Sequence, residues 1–196
     1  EVRQRLFRAA VELFGTRGFN ATTVEDITRA ADVGKGTFFN YFRTKEILLS
    51  DWAELRLDIL RGAHTETERA DEPVQEVLRH LFSALLEEPT RSHATTRCML
   101  FGLLGSEQIA GMVQGTASRA RQILAEIMVA GQRRGEIRRD ATASDLAQLF
   151  QQTFFGFMHL WVLLPAQDLS RRVNTTFNLF WTAAAVQPGH SRERAR

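Results

Sequence analysis

Apolar residues recur along most of the chain at intervals of three and four, the spacing of one helix face. Leu6, Ala10, Leu13 and Phe14 mark a first helix, with Gly18 where it would end. Thr22-Thr23-Val24-Glu25 has the form of a capping box, a threonine hydroxyl over the first turn with Glu three residues on. It opens a second helix with Val24, Ile27, Ala30 and Ala31 on one face, which stops near Asp32-Val33-Gly34. A short third helix spans Lys35 to Phe42. Thr44-Lys45-Glu46 interrupts the pattern, and a long helix follows with Ile47, Leu48, Trp52, Leu55 and Ile59 as its stripe, reaching about Gly62.

Residues 63–71 are polar and predict a connection. Pro73 suits a first helical turn and opens a helix carrying Val74, Val77, Leu78, Leu81, Phe82, Leu85 and Leu86, which Pro89 is expected to end. An apolar segment covers 94–105, and a long helix runs from about Ile109 to Arg134, before Gly135. Thr142-Ala143-Ser144-Asp145 is a second capping signal, ahead of Leu146, Leu149, Phe150, Phe154, Phe157, Met158 and Trp161. Asp168 caps the last helix, with Val173, Phe177, Phe180, Trp181 and Ala184 on one side. No stretch alternates strictly and no Asn-Gly or Asp-Gly hairpin turn occurs, so the predicted class is all-α. The polar, basic tail 187–196 is expected to be disordered.

Composition narrows the function. Apolar residues make up 44% of 196, enough for a packed core. The formal net charge is only +2, so a nucleic-acid surface would have to come from local clustering of Lys and Arg. A single cysteine, Cys98, excludes an internal disulfide and a Cys-rich zinc site, and fits a reducing cytoplasm. His93 beside Cys98 suggests a metal, but no third ligand stands at usable spacing, so no metal or cofactor is expected. The start, Glu1-Val2-Arg3-Gln4-Arg5, is charged and predicts no signal peptide. The most apolar run, Phe154 to Leu164, is shorter than the roughly 20 residues a bilayer requires, so no membrane association is expected.

The second and third helices with their tight turn form a helix-turn-helix. Its chemistry needs a short helix able to enter the major groove with small or polar residues at its start. Lys35 supplies charge, Gly36 permits close backbone approach, and Thr37 offers a hydroxyl. Phe38 and Phe42, four apart, anchor the helix, while Phe39, Asn40 and Tyr41 face outward. Singly, a threonine at a helix start is an ordinary cap and a lone lysine is a solvated one; together, at this spacing, they point to DNA.

The run Thr22-Thr23-Val24-Glu25-Asp26-Ile27, then Gly34-Lys35-Gly36-Thr37-Phe38-Phe39-Asn40-Tyr41-Phe42, then Lys45-Glu46-Ile47-Leu48, resembles the TetR family of repressors. The opening helix, with Ala9-Ala10, Leu13-Phe14 and Gly18-Phe19, matches as well, so the likeness covers residues 3 to about 50. The resemblance implies that Thr22 and Thr23 meet a phosphate at the start of the second helix and that Lys35, Gly36 and Thr37 read bases. Phe39 stands where the family usually has a tyrosine, which implies an apolar contact such as a thymine methyl. Tyr41 and Lys45 match backbone-contacting positions, and Asn40 completes the DNA-facing set.

The apolar excess after residue 48 calls for a second domain. The family implies that helices at about 143–164 and 168–186 form a homodimer seam with their symmetry mates, with Phe177 taken as an outward residue of the last helix. It also implies a ligand pocket, for which Trp52, Phe82, Met99, Phe101, Phe154, Met158 and Trp161 are the candidates; aromatic rings and Met suit an apolar or amphipathic small-molecule effector. The expected division is 1–47 for DNA binding, 48–186 for ligand binding and dimerisation, and 187–196 as tail. The expected function is a cytoplasmic, ligand-responsive repressor of a palindromic operator, without catalytic residues. Two alternatives stand beside it: an architectural DNA-binding protein that senses no ligand, and an all-helical enzyme. For the latter, the carboxylates Glu66, Glu68, Asp71 and Glu72 look solvated, and no nucleophile elbow, phosphate loop or His-Glu metal motif is present.

Overall fold

The computed structural model describes residues 1–69, 71–91, 93, 96–97, 100, 107–164 and 168–186; within the helices, 49–53, 55, 88–91, 107–110 and 112–113 are described by their backbone alone. The helices are α1 (Val2–Arg17), α2 (Val24–Ala30), α3 (Lys35–Tyr41), α4 (Ile47–Arg69), α5 (Val74–Arg91), α6 (Glu107–Arg133), α7 (Ala143–Leu163) and α8 (Leu169–Ala184). Among the described residues the fold is all-α, its extended pairing limited to an isolated antiparallel bridge between Ile137 and Ala185.

Two helices are longer than their sequence signals suggest. The polar stretch after Ala63 is not a connection: α4 continues to Arg69. Leu57, Leu60, Ala63 and Thr67 keep one buried face at helical spacing, and the Thr67 hydroxyl donates to the Ala63 carbonyl 2.8 Å away. Pro89 does not end α5, which continues to Arg91. A proline inside a helix leaves the carbonyl four residues earlier without its N–H partner. That carbonyl is Leu85's, and the Arg56 guanidinium of α4 donates to it. Burial pulls the Arg56 pKa down to about 10, which leaves it charged at neutral pH.

The other boundaries follow local chemistry. Gly18 ends α1 at φ 89°, its N–H donating to the Phe14 carbonyl. Gly135, at φ 73°, lets the chain turn back after α6, where the N–H groups of Glu136 and Ile137 both reach the Gly131 carbonyl, at 3.0 and 3.2 Å. Thr142 and Asp168 cap α7 and α8, accepting from the N–H groups of Asp145 and Arg171.

The chain divides into two compact units: Glu1–Leu57 with Leu85–Ala117, and Asp58–Ala84 with Ser118–Arg196. In the first, Leu6, Ala10 and Phe14 of α1, Ile27 of α2, Phe38 of α3, and Phe42 and Leu48 pack into one core. In the second, Phe82 of α5 sits among the rings of Phe150, Phe154, Phe157 and Phe177, with centroids 5.7–6.3 Å away. Most of these pairs meet edge to face, the arrangement favoured by ring quadrupoles.

The return after α6 is tightly filled. A Cβ on Gly131 would lie 2.6 and 2.9 Å from the buried Ile137 side chain and 3.3 Å from Val74. Gly131→Val is therefore expected to destabilise the fold by about 1–3 kcal/mol through overpacking. Gly62→Ala, on an open stretch of α4, should instead stabilise it by up to about 1 kcal/mol. Denaturant unfolding of the two variants checks the contrast.

Candidate nucleic-acid interface

α2 is launched by Thr23. Its hydroxyl accepts from the Asp26 N–H, and the Asp26 carboxylate receives the Thr23 N–H (3.0 Å) and hydroxyl (2.7 Å). These bonds, the hydroxyl's first, hold the Asp26 carboxyl below its ordinary range. The capping pair is thus Thr23 with Asp26, one residue later than Thr22 with Glu25.

Thr22 is fully buried, and its hydroxyl donates to the carbonyls of Gly18 (2.7 Å) and Leu13 (3.3 Å). The expected phosphate contact from this side chain is corrected accordingly: its polar atom is consumed inside the loop joining α1 to α2. Thr23 is exposed.

The turn after α2 needs a left-handed residue, and Asp32 supplies it at φ 52°, a region that Asp tolerates better than most. The Val33 N–H then bonds the Thr28 carbonyl at 3.0 Å. α3 follows. Phe38 and Phe42 are buried to within 1% of full coverage, with centroids 5.5 Å apart. The residues between them face out: Phe39 is 49% and Tyr41 47% exposed, and Asn40 is exposed too. Lys35 and Gly36 are exposed and Thr37 half-buried, so the structure brings Lys35, Gly36, Thr37, Phe39, Asn40 and Tyr41 onto one short helix.

Two electrostatic features were not legible in the sequence. Lys45 is turned inward. Its ammonium donates to the carbonyls of Phe19 (2.8 Å) and Thr22 (2.9 Å) and lies 4.6 Å from the Phe19 ring centre. Lys35, the one charged residue of α3, is ion-paired with Glu25 of α2, whose carboxyl is held below its usual range by that hydrogen bond. Both contacts bridge segments whose mutual placement no local spacing encodes.

Residues 6–51 match the family described as "Bacterial regulatory proteins, tetR family". The HTH-type transcriptional repressor DhaR of Mycobacterium sp. strain GP1 is 36% identical over 87 residues, 44% of this chain and 44% of that protein. The uncharacterised HTH-type transcriptional regulator YerO of Bacillus subtilis is 30% identical over 90 residues, 45% of this chain and 31% of its own length. The chain thus spans less than half the length of these two curated relatives. A solved structure extends the likeness: Thermus thermophilus FadR, a TetR-family transcriptional repressor in complex with lauroyl-CoA, is 31% identical with a TM-score of 0.67. The match covers 94% of this chain and 96% of that one.

The chain belongs to the TetR family. The matched residues take in most of α1, the helix-turn-helix described above and the start of α4.

Of the candidate effector-binding residues, Phe82, Phe154, Met158 and Trp161 are buried in the second unit, where Phe82 and Phe154 are members of the ring cluster. Trp52 lies in α4 with its side chain outside the described residues, as do Met99 and Phe101 altogether. Phe177 is not outward: it is 1% exposed, packed against Phe82 and Phe180, with the Arg79 guanidinium 4.7 Å from its ring centre. Among the described residues, the outward large apolar side chains of this region are Phe155, Leu160 and Leu163 on α7, Leu164 beyond it, Leu179 on α8, and Val186 beyond α8.

The inward lysine is a stability element. Lys45→Met removes two charge-assisted bonds to carbonyls of the α1–α2 loop and is expected to cost about 1.5–3 kcal/mol. A thermal melt followed by circular dichroism should show the lower midpoint, while a variant melting like wild type would mean that these carbonyls find other donors.

Proposed function

We propose that this TetR-family chain is a ligand-responsive DNA-binding regulator that represses from a palindromic operator as a cytoplasmic homodimer. The observation that carries the reading is the division of rings along α3 and its C-cap: Phe38 and Phe42 are fully committed to the core, and Phe39 and Tyr41 are half-exposed between them. Phe39 meets the Phe38 ring edge to face at 5.4 Å, yet it and Tyr41 leave about half their surface in water, surface that a groove-facing helix uses on thymine methyls and phosphates. Thr23, Lys35, Gly36, Thr37 and Asn40 complete the DNA-facing set. Lys45 contributes chiefly by holding the loop before α2. Residues 1–47 serve as the DNA-binding domain and 48–186 as the ligand-binding and dimerisation domain.

Gly36 supplies a test. A Cβ there meets nothing within 4 Å, so the fold itself does not require glycine. Gly36→Ala should stabilise α3 by roughly 0.5–1 kcal/mol. It should nonetheless weaken binding to the palindrome that wild-type protein enriches from a random duplex pool, because the methyl group stands where DNA approaches. Unchanged affinity would move the close approach away from Gly36.

Homodimerisation rests on α7. Phe155, Gly156, His159, Leu160 and Leu163 are all exposed and fall on one face at three- and four-residue steps. A half-exposed apolar face of this kind, with Leu179 of α8, suits a four-helix seam between two copies. Leu160→Glu would place an unpaired charge in that seam. Sedimentation should then show monomers, with operator affinity reduced although α2 and α3 are intact; a dimeric variant would place the seam elsewhere.

The effector is an amphipathic molecule with an apolar chain and an anionic head, an inference supported by lauroyl-CoA in the 31%-identical FadR and by the apolar, aromatic character of Phe82, Phe154, Met158 and Trp161. Only five residues separate α3 from α4, so a displacement of α4 re-aims α3. A ligand shifts this balance only by binding the DNA-free state better, with a typical coupling of about 1–3 kcal/mol. Calorimetry with lauroyl-CoA as probe should show weaker binding to the protein–operator complex than to free protein. Equal affinities would exclude induction by this class.

A further inference from the structure

α3 carries one charge, Lys35, and that charge is already spent within the protein. Its ammonium pairs with the Glu25 carboxylate across the helix-turn-helix, and both side chains are more than half exposed, at 56% and 52%. The pairing is not needed to balance Glu25's neighbour: Asp26 is bonded by Thr23 and Arg17 and has Arg29 within 3.9 Å. Nor is Lys35 placed where a helix favours a cation. It occupies the first turn of α3, at the positive end of the helix dipole, behind Gly34, which offers no side-chain cap.

We propose that Glu25 is a specificity-determining residue of the DNA interface, masking Lys35 from non-specific DNA and releasing it to the operator's base edges. The inference rests on the DNA-binding reading above. Non-specific association is driven almost wholly by cations meeting phosphates, and each contact steepens the dependence on salt. A phosphate can recruit Lys35 only by taking it from Glu25, and the freed carboxylate then faces the same phosphates. One ionic bond is exchanged for another and a repulsion is added. At an operator the exchange has a different balance. A guanine edge offers Lys35 two acceptors, O6 and N7, inside the groove, and the remaining contacts of α3 hold the lysine against them. An exposed ion pair is weak enough to yield to that. Glu25 therefore lowers affinity for all DNA but lowers it least for the sequence that satisfies Lys35.

The test compares two probes, the random duplex pool and the palindrome that wild-type protein enriches from it. Glu25→Gln keeps a side chain able to accept a hydrogen bond and removes the charge. It should raise affinity for the random pool more than for the palindrome, so that the specificity ratio falls. Its affinity for the random pool should gain one phosphate-equivalent of salt dependence. Between about 50 and 200 mM salt the loss of affinity would grow roughly 3.5-fold relative to wild type. The same substitution in a Lys35→Gln background separates masking from plain repulsion: the steeper salt dependence should vanish there. An equal effect of Glu25→Gln with and without Lys35, or an unchanged specificity ratio, overturns the proposal. A purely structural role for the pair would move the melting midpoint and leave the ratio untouched, which also overturns it. If wild-type protein enriches no sequence, the DNA-binding reading itself fails, a result distinct from either.

Discussion

Burial of Phe38 and Phe42 against the α1–α2 core determines which side of α3 is left to solvent. Phe38 lies within a helix only seven residues long and Phe42 is its C-cap, one residue beyond, and both rings enter the same core. Once both are covered, the helix cannot rotate about its axis without exposing one of them, and an exposed phenylalanine forfeits roughly 1.5–3 kcal/mol of transfer free energy. Phe39, Asn40 and Tyr41 are outward for that reason. α3 has no side-chain cap at its start and is too short to hold itself together. Its conformation is borrowed from the core made by Leu6, Phe14 and Ile27, and its orientation comes from the left-handed turn at Asp32.

Polar groups around this core are used in a similarly economical way. Thr22 and Lys45 together donate to four carbonyls of the segment from Leu13 to Thr22, tying the end of α1 to the loop before α2. In the same unit Arg56 answers the carbonyl that Pro89 leaves unpaired. In each case a side chain of the type associated with DNA or ligand chemistry completes the hydrogen bonding of the fold. Such residues resemble functional ones in sequence, and only the position of the polar atom separates the two uses.

The second unit is organised differently, around rings instead of caps. Phe82 contacts aromatic residues from both α7 and α8, and Phe150 and Phe177 each meet Phe180 as well. Covering these inward rings leaves α7 with a second apolar side, the exposed line through Phe155, Leu160 and Leu163. Among the described residues that second side of α7 stays exposed, whereas the inward one is buried in the ring cluster.

Much was legible from local order alone. The all-α class, the helix-turn-helix, the caps at Thr142 and Asp168, the ends at Gly18 and Gly135, and the inward Phe38 and Phe42 with outward Phe39, Asn40 and Tyr41 depend on neighbours within one helical turn, and spacing encodes such neighbours directly. Tertiary structure decided what spacing could not reach. Pro89 reads as a stop, yet the helix continues where Arg56, 29 residues from Leu85 in sequence, supplies the missing donor. The polar run after Ala63 reads as a connection, yet Leu57, Leu60, Ala63 and Thr67 find a surface to bury against. Thr22, Lys45 and Phe177 each have the composition of an exposed contact residue and are turned inward, because partners up to 26 residues away for Lys45, and α5 for Phe177, stand on the other side. A residue's type states which bonds it can make; which of them it does make depends on what the fold brings within about 3 Å.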